Sequence, residues 1–196
     1  MPSATEPGRS KTAPPARTRR SDARRNEQVL LGAAARIFAE SGIDAPVRLI
    51  AAEAGVGMGT IYRHFPSRSE LIAAVYRHQV DACVDLGETL LKDGSQPFAA
   101  LAEWFDAFVD FLATKHGLAT VRTQDESTGS LHDYFLDRLV PICDRLLDAA
   151  RANGEISAKV TGYELMRGVG NLCLLAGDDG RYDPRKLTHL LLAGTR

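Results

Sequence analysis

The sequence predicts an all-α fold with about nine helices, and three observations support that prediction. Apolar residues recur three and four positions apart along most of the chain, as they do on the buried face of a helix. No stretch alternates between apolar and polar residues for long enough to form a strand. Glycine, proline and small polar residues separate the periodic segments. A chain of 196 residues, 44% of them hydrophobic, is long enough to bury a substantial core.

The first predicted helix begins at Ser21 or Asp22, because either residue is a suitable N-cap. Leu30 and Phe38 lie on its apolar stripe, and Gly42 ends it.

Two short helical segments follow. The first is expected to turn Leu49, Ile50 and Ala54 inward and to end at Gly55, which can adopt the positive φ of a tight turn. The second ends before Pro66, because the residue before a proline disfavours helical backbone.

A long helix is predicted next, with Ser67 as its N-cap and Glu70 three residues later, as in a capping box. Pro141 is expected to bend one of the later helices. Those later helical segments cover residues 98–117, 131–153, 160–176 and 184–194, with a shorter turn over 118–123.

The stretch AGVGMGTIYRHF, which ends at Phe65, has two interpretations. A dinucleotide-binding loop would need GxGxxG directly after a strand, but Thr60 occupies the third glycine position and the preceding segment is helical. A helix-turn-helix fits better. Gly55 makes the turn, Val56 fills the corner, and Ile61 and Phe65 face the core from the second helix.

Residues 22–80 resemble the DNA-binding domain of the TetR family of transcriptional regulators. The segments AAEAGV, GTIYRHF and SRSEL carry the resemblance, in that order. It implies a three-helix DNA-binding head on a larger helical domain that binds a ligand and forms a homodimer. We therefore expect a disordered basic arm over 1–20, a helix-turn-helix domain over 21–66, and an effector-binding and dimerisation domain over 67–196.

The resemblance also implies which residues contact DNA. Arg48 matches a position that reaches bases or phosphates, and Arg63 could join it in bidentate guanine contacts. Tyr62 and His64 could instead be ordinary surface side chains. The matched base-reading positions are Gly57, Met58, Gly59 and Tyr62, and the matched phosphate-holding positions are Thr60, His64 and Arg68.

The sequence departs from the family pattern at two positions where a hydroxyl residue is frequent. These positions hold Val47 and Gly57, so two contacts or caps are absent and the operator sequence does not follow from the resemblance.

The first 70 residues hold 11 of the 24 Lys and Arg but only 7 of the 25 Asp and Glu, so the front of the chain is basic. A basic front favours a polyanionic partner such as DNA. Within it, four arginines could add backbone or minor-groove contacts or simply form a solvated charge run. They are Arg19, Arg20, Arg24 and Arg25.

Aromatic residues crowd one helix of the back half, where Trp104, Phe108 and Phe111 could line a cavity or could all belong to the core. The resemblance implies an effector pocket among the middle helices. The candidate ligand-binding residues are Trp104, Phe108, Arg122 and Tyr134.

The last two helices, over about 160–194, resemble the family's dimerisation pair. Gly168 and Gly170 would allow close backbone approach there, although an intramolecular core is the alternative.

The sequence offers no support for catalysis, since it has neither HExxH nor GxSxG and its five histidines do not cluster. Its three cysteines are expected to be buried, reduced thiols, with a redox sensor as the weaker alternative. We expect no cofactor, no metal, no membrane association and a cytoplasmic location.

These observations predict a repressor that binds a palindromic operator as a homodimer and is released by a small-molecule effector. The sequence does not distinguish a repressor from an activator. The alternative from another class is an all-α scaffolding domain or enzyme whose basic front binds an acidic partner.

Overall fold

The computed structural model of the chain describes residues 16–94, 96–119, 127–174 and 181–196, with side chains over 25–94, 96–113, 131–174 and 181–196. All regular structure in these ranges is helical, so the all-α prediction is confirmed. Eight helices are described where about nine were predicted, and most of the predicted turn over 118–123 lies outside the described residues. The helices are α1 (Ala16–Ser41), α2 (Val47–Ala54), α3 (Met58–His64), α4 (Arg68–Asp93), α5 (Pro97–Ala119), α6 (Ser127–Ala152), α7 (Gly162–Leu174) and α8 (Pro184–Ala193).

The helix boundaries follow local signals at most of the predicted positions. Gly42, after α1, and Gly55, after α2, both adopt positive φ, at 75° and 65°. The Ser67 hydroxyl accepts a hydrogen bond from the Glu70 amide at 3.2 Å, which caps α4 as predicted. Helix α1, however, begins at Ala16 rather than at Ser21 or Asp22.

A first core joins α1, α2 and α3 to the start of α4. Its buried apolar side chains include Leu30 and Phe38 from α1, Ile50 from α2 and Ile61 from α3. This arrangement confirms the predicted inward orientation of Ile61. We call α1 to α3 the head.

Leu49 is an exception to the predicted orientation of α2. It was expected to face the core, but it is 38% exposed, whereas its neighbour Ile50 is fully buried. A helix of eight residues with one packed face has room for few inward positions, and Ile50 and Ala51 occupy them.

A second core fills the rest of the chain, which we call the body. Helices α4, α5 and α6 pack against one another, while α7 packs on α5 and α6 and α8 packs on α5 and α7. Trp104, Phe105 and Phe108 of α5 are completely or almost completely buried at its centre.

Helix α4 belongs to both cores. Leu71 and Val75 pack into the core of the head, while Tyr76 and Val80 pack into the core of the body. The change occurs between adjacent residues, Val75 and Tyr76, because successive side chains point about 100° apart around a helix. The head and body are therefore connected by a continuous, packed helix.

Candidate DNA-binding surface and effector cavity

The turn between α2 and α3 is closed by backbone hydrogen bonds. The Gly55 amide donates to the Ala52 carbonyl oxygen at 3.2 Å, and the Val56 amide donates to that of Ala51 at 3.0 Å. Gly57 then adopts extended backbone, and its missing side chain leaves the start of α3 without a side-chain cap. The predicted helix-turn-helix is thus formed by the residues expected to form it.

The outer face of α3 carries the side chains predicted to contact DNA. Met58 is 47% exposed and Tyr62 is 49% exposed, which are high values for large side chains with apolar surface. Arg63 and His64 are exposed beside them, and Arg48 is exposed on the first turn of α2.

These side chains form few contacts within the chain. Arg48, Tyr62 and Arg63 make no hydrogen bond or ion pair with the described residues. The His64 ring lies 6.1 Å from that of Phe65, between centroids. Helix α3 itself has no carboxylate, and its outer face presents cationic and polar groups. Such a surface suits a nucleic-acid backbone and base edges.

The remaining predicted contact residues differ in exposure. Gly57 and Gly59 are exposed, whereas Thr60 is half-buried with its amide donating to the Gly57 carbonyl oxygen at 2.9 Å. Four arginines of the arm were also predicted to contact DNA or to form a solvated charge run. Arg25 is exposed on α1, while the side chains of Arg19, Arg20 and Arg24 lie outside the described residues.

Arg68 has an internal role that the resemblance did not indicate. Its Nη2 donates to the carbonyl oxygens of Ile43 and, at 2.8 Å, Ala45, and its guanidinium lies 6.0 Å from the ring centroid of Phe38. It therefore connects the first turn of α4 to the loop that precedes α2. We assign Arg68 to bracing the head and omit it from the proposed DNA contacts.

A second brace connects α1 to α2. Arg36 donates from Nε and Nη2 to Oε1 of Glu53, at 3.0 and 2.8 Å. Both side chains are well exposed, so the pair contributes orientation more than stability.

The body contains a cavity of about 200 Å³ between α5, α6 and α7. Its floor is formed by the buried side chains of Phe108 and Leu112 on α5, Phe135 on α6 and Met166 on α7. Polar side chains stand on its rim, and they are His132, Tyr163, Arg167 and Asn171.

The three predicted ligand-binding residues that the structure describes do not line one cavity together. Of these three, Phe108 alone lines the cavity. Trp104 is 0% exposed and donates from Nε1 to the Cys83 carbonyl oxygen at 2.9 Å, so it is a core residue. The Tyr134 hydroxyl donates to Asp81 Oδ1 at 2.7 Å, away from the cavity.

Arg122, the fourth predicted residue, lies outside the described residues. The sequence did not single out His132, Arg167 or Asn171, because α6 and α7 bring them together only through packing. The one local signal was the four-residue spacing of Arg167 and Asn171, which places both on one face of a helix.

The three cysteines are buried thiols. Burial raises the pKa of the Cys83 thiol to about 12, with a smaller effect from Asp110. Burial likewise raises the pKa of the Cys143 and Cys173 thiols. Because the thiolate is the reactive form, this environment argues against the redox-sensor alternative.

The described part of the chain holds no group of three or more side chains placed to bind a metal ion. Within the same residues, every helix is too short or too polar to span a membrane.

Helices α7 and α8 expose large apolar side chains. Leu174 is 60% exposed and Leu190 is 61% exposed, and Tyr163 and Leu191 are also partly accessible. A Cβ added at Gly168 would lie 3.5 Å from the Leu191 side chain, which is an ordinary van der Waals contact, so this position of α7 faces α8 within one chain.

Two protein-family profiles match the chain. Residues 30–75 match the family described as bacterial regulatory proteins, tetR family. Residues 96–196 match a domain described as the transcriptional regulator SbtR-like C-terminal domain. The first match ends at Val75, which is also the last buried residue of the head core.

Solved structures are similar to this chain along most of its length. A TetR transcriptional regulator of Streptomyces coelicolor, SCO0520, is 34% identical with a TM-score of 0.73, covering 87% of this chain and 98% of that one. A TetR regulatory protein from Mycobacterium vanbaalenii is 30% identical with a TM-score of 0.66, covering 90% and 98%.

A curated relative matches over a shorter length. An HTH-type transcriptional regulator of Staphylococcus aureus is 30% identical over 93 residues, which is 47% of this chain and 50% of that protein. The chain thus spans about half the length of the curated relatives it matches. The C-terminal profile alone covers more than half of the chain, and the Streptomyces structure extends the likeness to both domains. The chain belongs to the TetR family of helix-turn-helix transcriptional regulators.

Proposed function

We propose that this protein is a repressor that binds a palindromic operator as a homodimer and releases it when a small molecule occupies the body. The observation that carries this proposal is the outer face of α3, next to a glycine turn. Tyr62 and Arg63 are exposed there and make no hydrogen bond or ion pair with any described residue. Binding to chromosomal DNA would place the protein in the cytoplasm.

The base contacts fall to a small set of side chains. Arg48 and Arg63 are the two outer-face groups that can form a bidentate guanine contact, and Met58 can contact a thymine methyl group. Tyr62 and His64 can contact phosphate or sugar, and thereby fix the register of α3 in the major groove. With so few base-reading groups, sequence-dependent DNA shape contributes to operator choice.

The dimer would use α7 and α8, because their leucines are exposed to solvent among the described residues of a single chain. Two heads related by a two-fold axis would enter successive major grooves about 34–36 Å apart. The small molecule would act by preferring a body conformation that separates the heads differently. It can shift the equilibrium only by its difference in affinity for the two states.

The test is binding of the purified protein to DNA from around its own gene, compared with Arg48→Ala and Tyr62→Ala. We expect selective, salt-sensitive binding that Arg48→Ala weakens by about tenfold to a hundredfold. Arg77→Ala is the matched control for charge, because Arg77 is exposed on α4 outside the proposed surface.

Equal binding to unrelated DNA by the wild type and both variants would contradict the proposal. That result would assign the interaction to the basic arm alone.

A further inference from the structure

The cavity in the body has an aromatic floor. The Phe108 and Phe135 rings are stacked with centroids 6.1 Å apart and planes inclined by 26°. The His132 ring is stacked on Phe135, 6.0 Å away and inclined by 16°. Flat apolar faces of this kind favour a planar apolar ligand.

The volume of the cavity restricts the size of that ligand. An apolar cavity of about 150 Å³ accepts benzene. At about 200 Å³, this cavity has room for one six-membered ring and a small substituent. It lies below the roughly 300–1,000 Å³ typical of drug-sized ligands.

The rim of the cavity determines the charge of the ligand. Arg167 is exposed at the rim and makes no ion pair or hydrogen bond with any described residue. Asn171 lies one turn further along α7, and His132 stands opposite on α6. None of the described residues that line the cavity carries a carboxylate. A guanidinium that pairs with none of the described residues and lies over an apolar floor favours an anion, and its planar fork matches a carboxylate.

We propose that the effector is a small aromatic carboxylate, with its ring against Phe108 and Phe135 and its carboxylate held by Arg167. The consequence for DNA release rests on the proposed function, whereas binding itself does not. Arg167 and Tyr163 share one face of α7 with the exposed Leu174, which is part of the proposed dimer surface. A bound ligand would therefore lie directly beside the proposed dimer surface.

The chain contains a built-in reporter for this cavity. Trp104 is the sole tryptophan, and its ring is stacked on that of the cavity residue Phe108 at 5.5 Å and 6°. Titrating the full chain with phenylacetate should change the tryptophan emission in a saturable manner, with calorimetry as an independent measure. Phenylacetamide, which has the same shape without the charge, should bind at least tenfold more weakly. Butyrate, which has the charge without the ring, should also bind more weakly.

Two variants test the placement of the ligand: Arg167→Gln removes the charge at the rim, and Gly170→Leu fills the cavity. Arg167→Gln should weaken phenylacetate binding by about tenfold to a hundredfold and leave phenylacetamide unchanged. Arg77→Gln removes the same charge from an exposed site on α4 and should have no effect.

Gly170→Leu should abolish binding of both ring compounds by filling the cavity. Gly170 lines the cavity, and a Cβ there would have no heavy atom within 4 Å, so the first carbon of a larger side chain has room. Sedimentation of this variant checks that its oligomeric state is unchanged.

Equal affinity for phenylacetate and phenylacetamide would overturn the charge assignment, and binding that survives Gly170→Leu would overturn the location. Failure of both ring compounds to bind protein that still binds its promoter DNA would overturn the effector class and leave the repressor proposal standing. A protein that binds phenylacetate but shows no selective DNA binding would overturn the repressor proposal and leave the effector class standing.

Discussion

Gly59 lies at the second position of α3, on the face proposed to meet DNA. Its φ is not positive, and an added Cβ would meet no heavy atom within 4 Å. Glycine in a helix costs about 1 kcal/mol relative to alanine. Since nothing described within the chain requires glycine here, we attribute the missing side chain to close approach of the DNA.

Gly59→Ala should therefore raise the free energy of unfolding by about 1 kcal/mol and weaken DNA binding. Urea denaturation measures the first effect and titration of promoter DNA the second. Gly32→Ala in α1 is the control, because its Cβ would meet only Arg36 at 3.9 Å. If Gly59→Ala stabilises the protein and binds DNA as tightly as the wild type, the missing side chain has no role in DNA approach.

At the scale of single helices, the start of α7 shows how local hydrogen bonds fix one wall of the cavity. The Thr161 hydroxyl accepts from the Glu164 amide at 3.2 Å, and the Glu164 carboxylate accepts from the Thr161 amide and hydroxyl at 2.8 and 2.9 Å. The adjacent Gly162 amide donates to Asp144 Oδ1 on α6 at 2.7 Å. This capping box and its anchor set where α7 begins.

The hydrogen bonds from Thr161 hold the pKa of Glu164 below its ordinary value. Ionised Glu164 therefore stabilises the folded state at pH values above its unfolded pKa, and that contribution is lost as the pH falls through the lower folded pKa. Urea denaturation from neutral to acidic pH should show Glu164→Gln less stable than the wild type at neutral pH, with the difference closing in acid. Glu103→Gln, at an exposed position on α5, should not reproduce this dependence. A difference that stays constant across the series would contradict it.

Local signals also explain which elements were predictable from sequence. Gly42, Gly55 and Ser67 act within four residues of themselves, so the ends of α1 and α2 and the start of α4 follow directly from the sequence. The orientation of Leu49 did not follow from the sequence, because a short helix has too few residues to define its buried face.

The candidate sites likewise differ in whether local sequence or the packing of distant segments defines them. The outer face of α3 was predictable because contiguous residues and a family motif define it. The cavity was not, because Phe108, His132 and Arg167 come from three helices that meet only on packing. The core position of Trp104 and the bracing role of Arg68 likewise depend on contacts between distant segments.

At the scale of the whole molecule, α7 and α8 expose apolar surface that a second copy could cover. Leu190 is exposed, so its replacement by aspartate should leave the monomer folded. A buried, unpaired carboxylate at a subunit interface is strongly unfavourable. Leu190→Asp should shift the protein towards monomers and lower its operator affinity, because a monomer presents one head.

Sedimentation at several protein concentrations measures the shift in assembly, and promoter binding measures its consequence. Val29→Asp introduces the same charge at an exposed apolar position on α1 and should leave the assembly unchanged. A Leu190→Asp protein that remains dimeric would place the interface elsewhere.

The sharing of α4 between the two cores restricts how motion can pass along it. Rotation of α4 about its own axis would move Val75 out of one core and Tyr76 out of the other, so both packings oppose it. Tilting leaves each side chain in its own core. The segment from Arg68 to Val80 is about 18 Å long at 1.5 Å per residue, so a tilt of roughly 5° about Val80 displaces its far end by about 1.6 Å. Because Arg68 is bound to the loop before α2, α4 would act as a short lever that carries the head, including α3, with it.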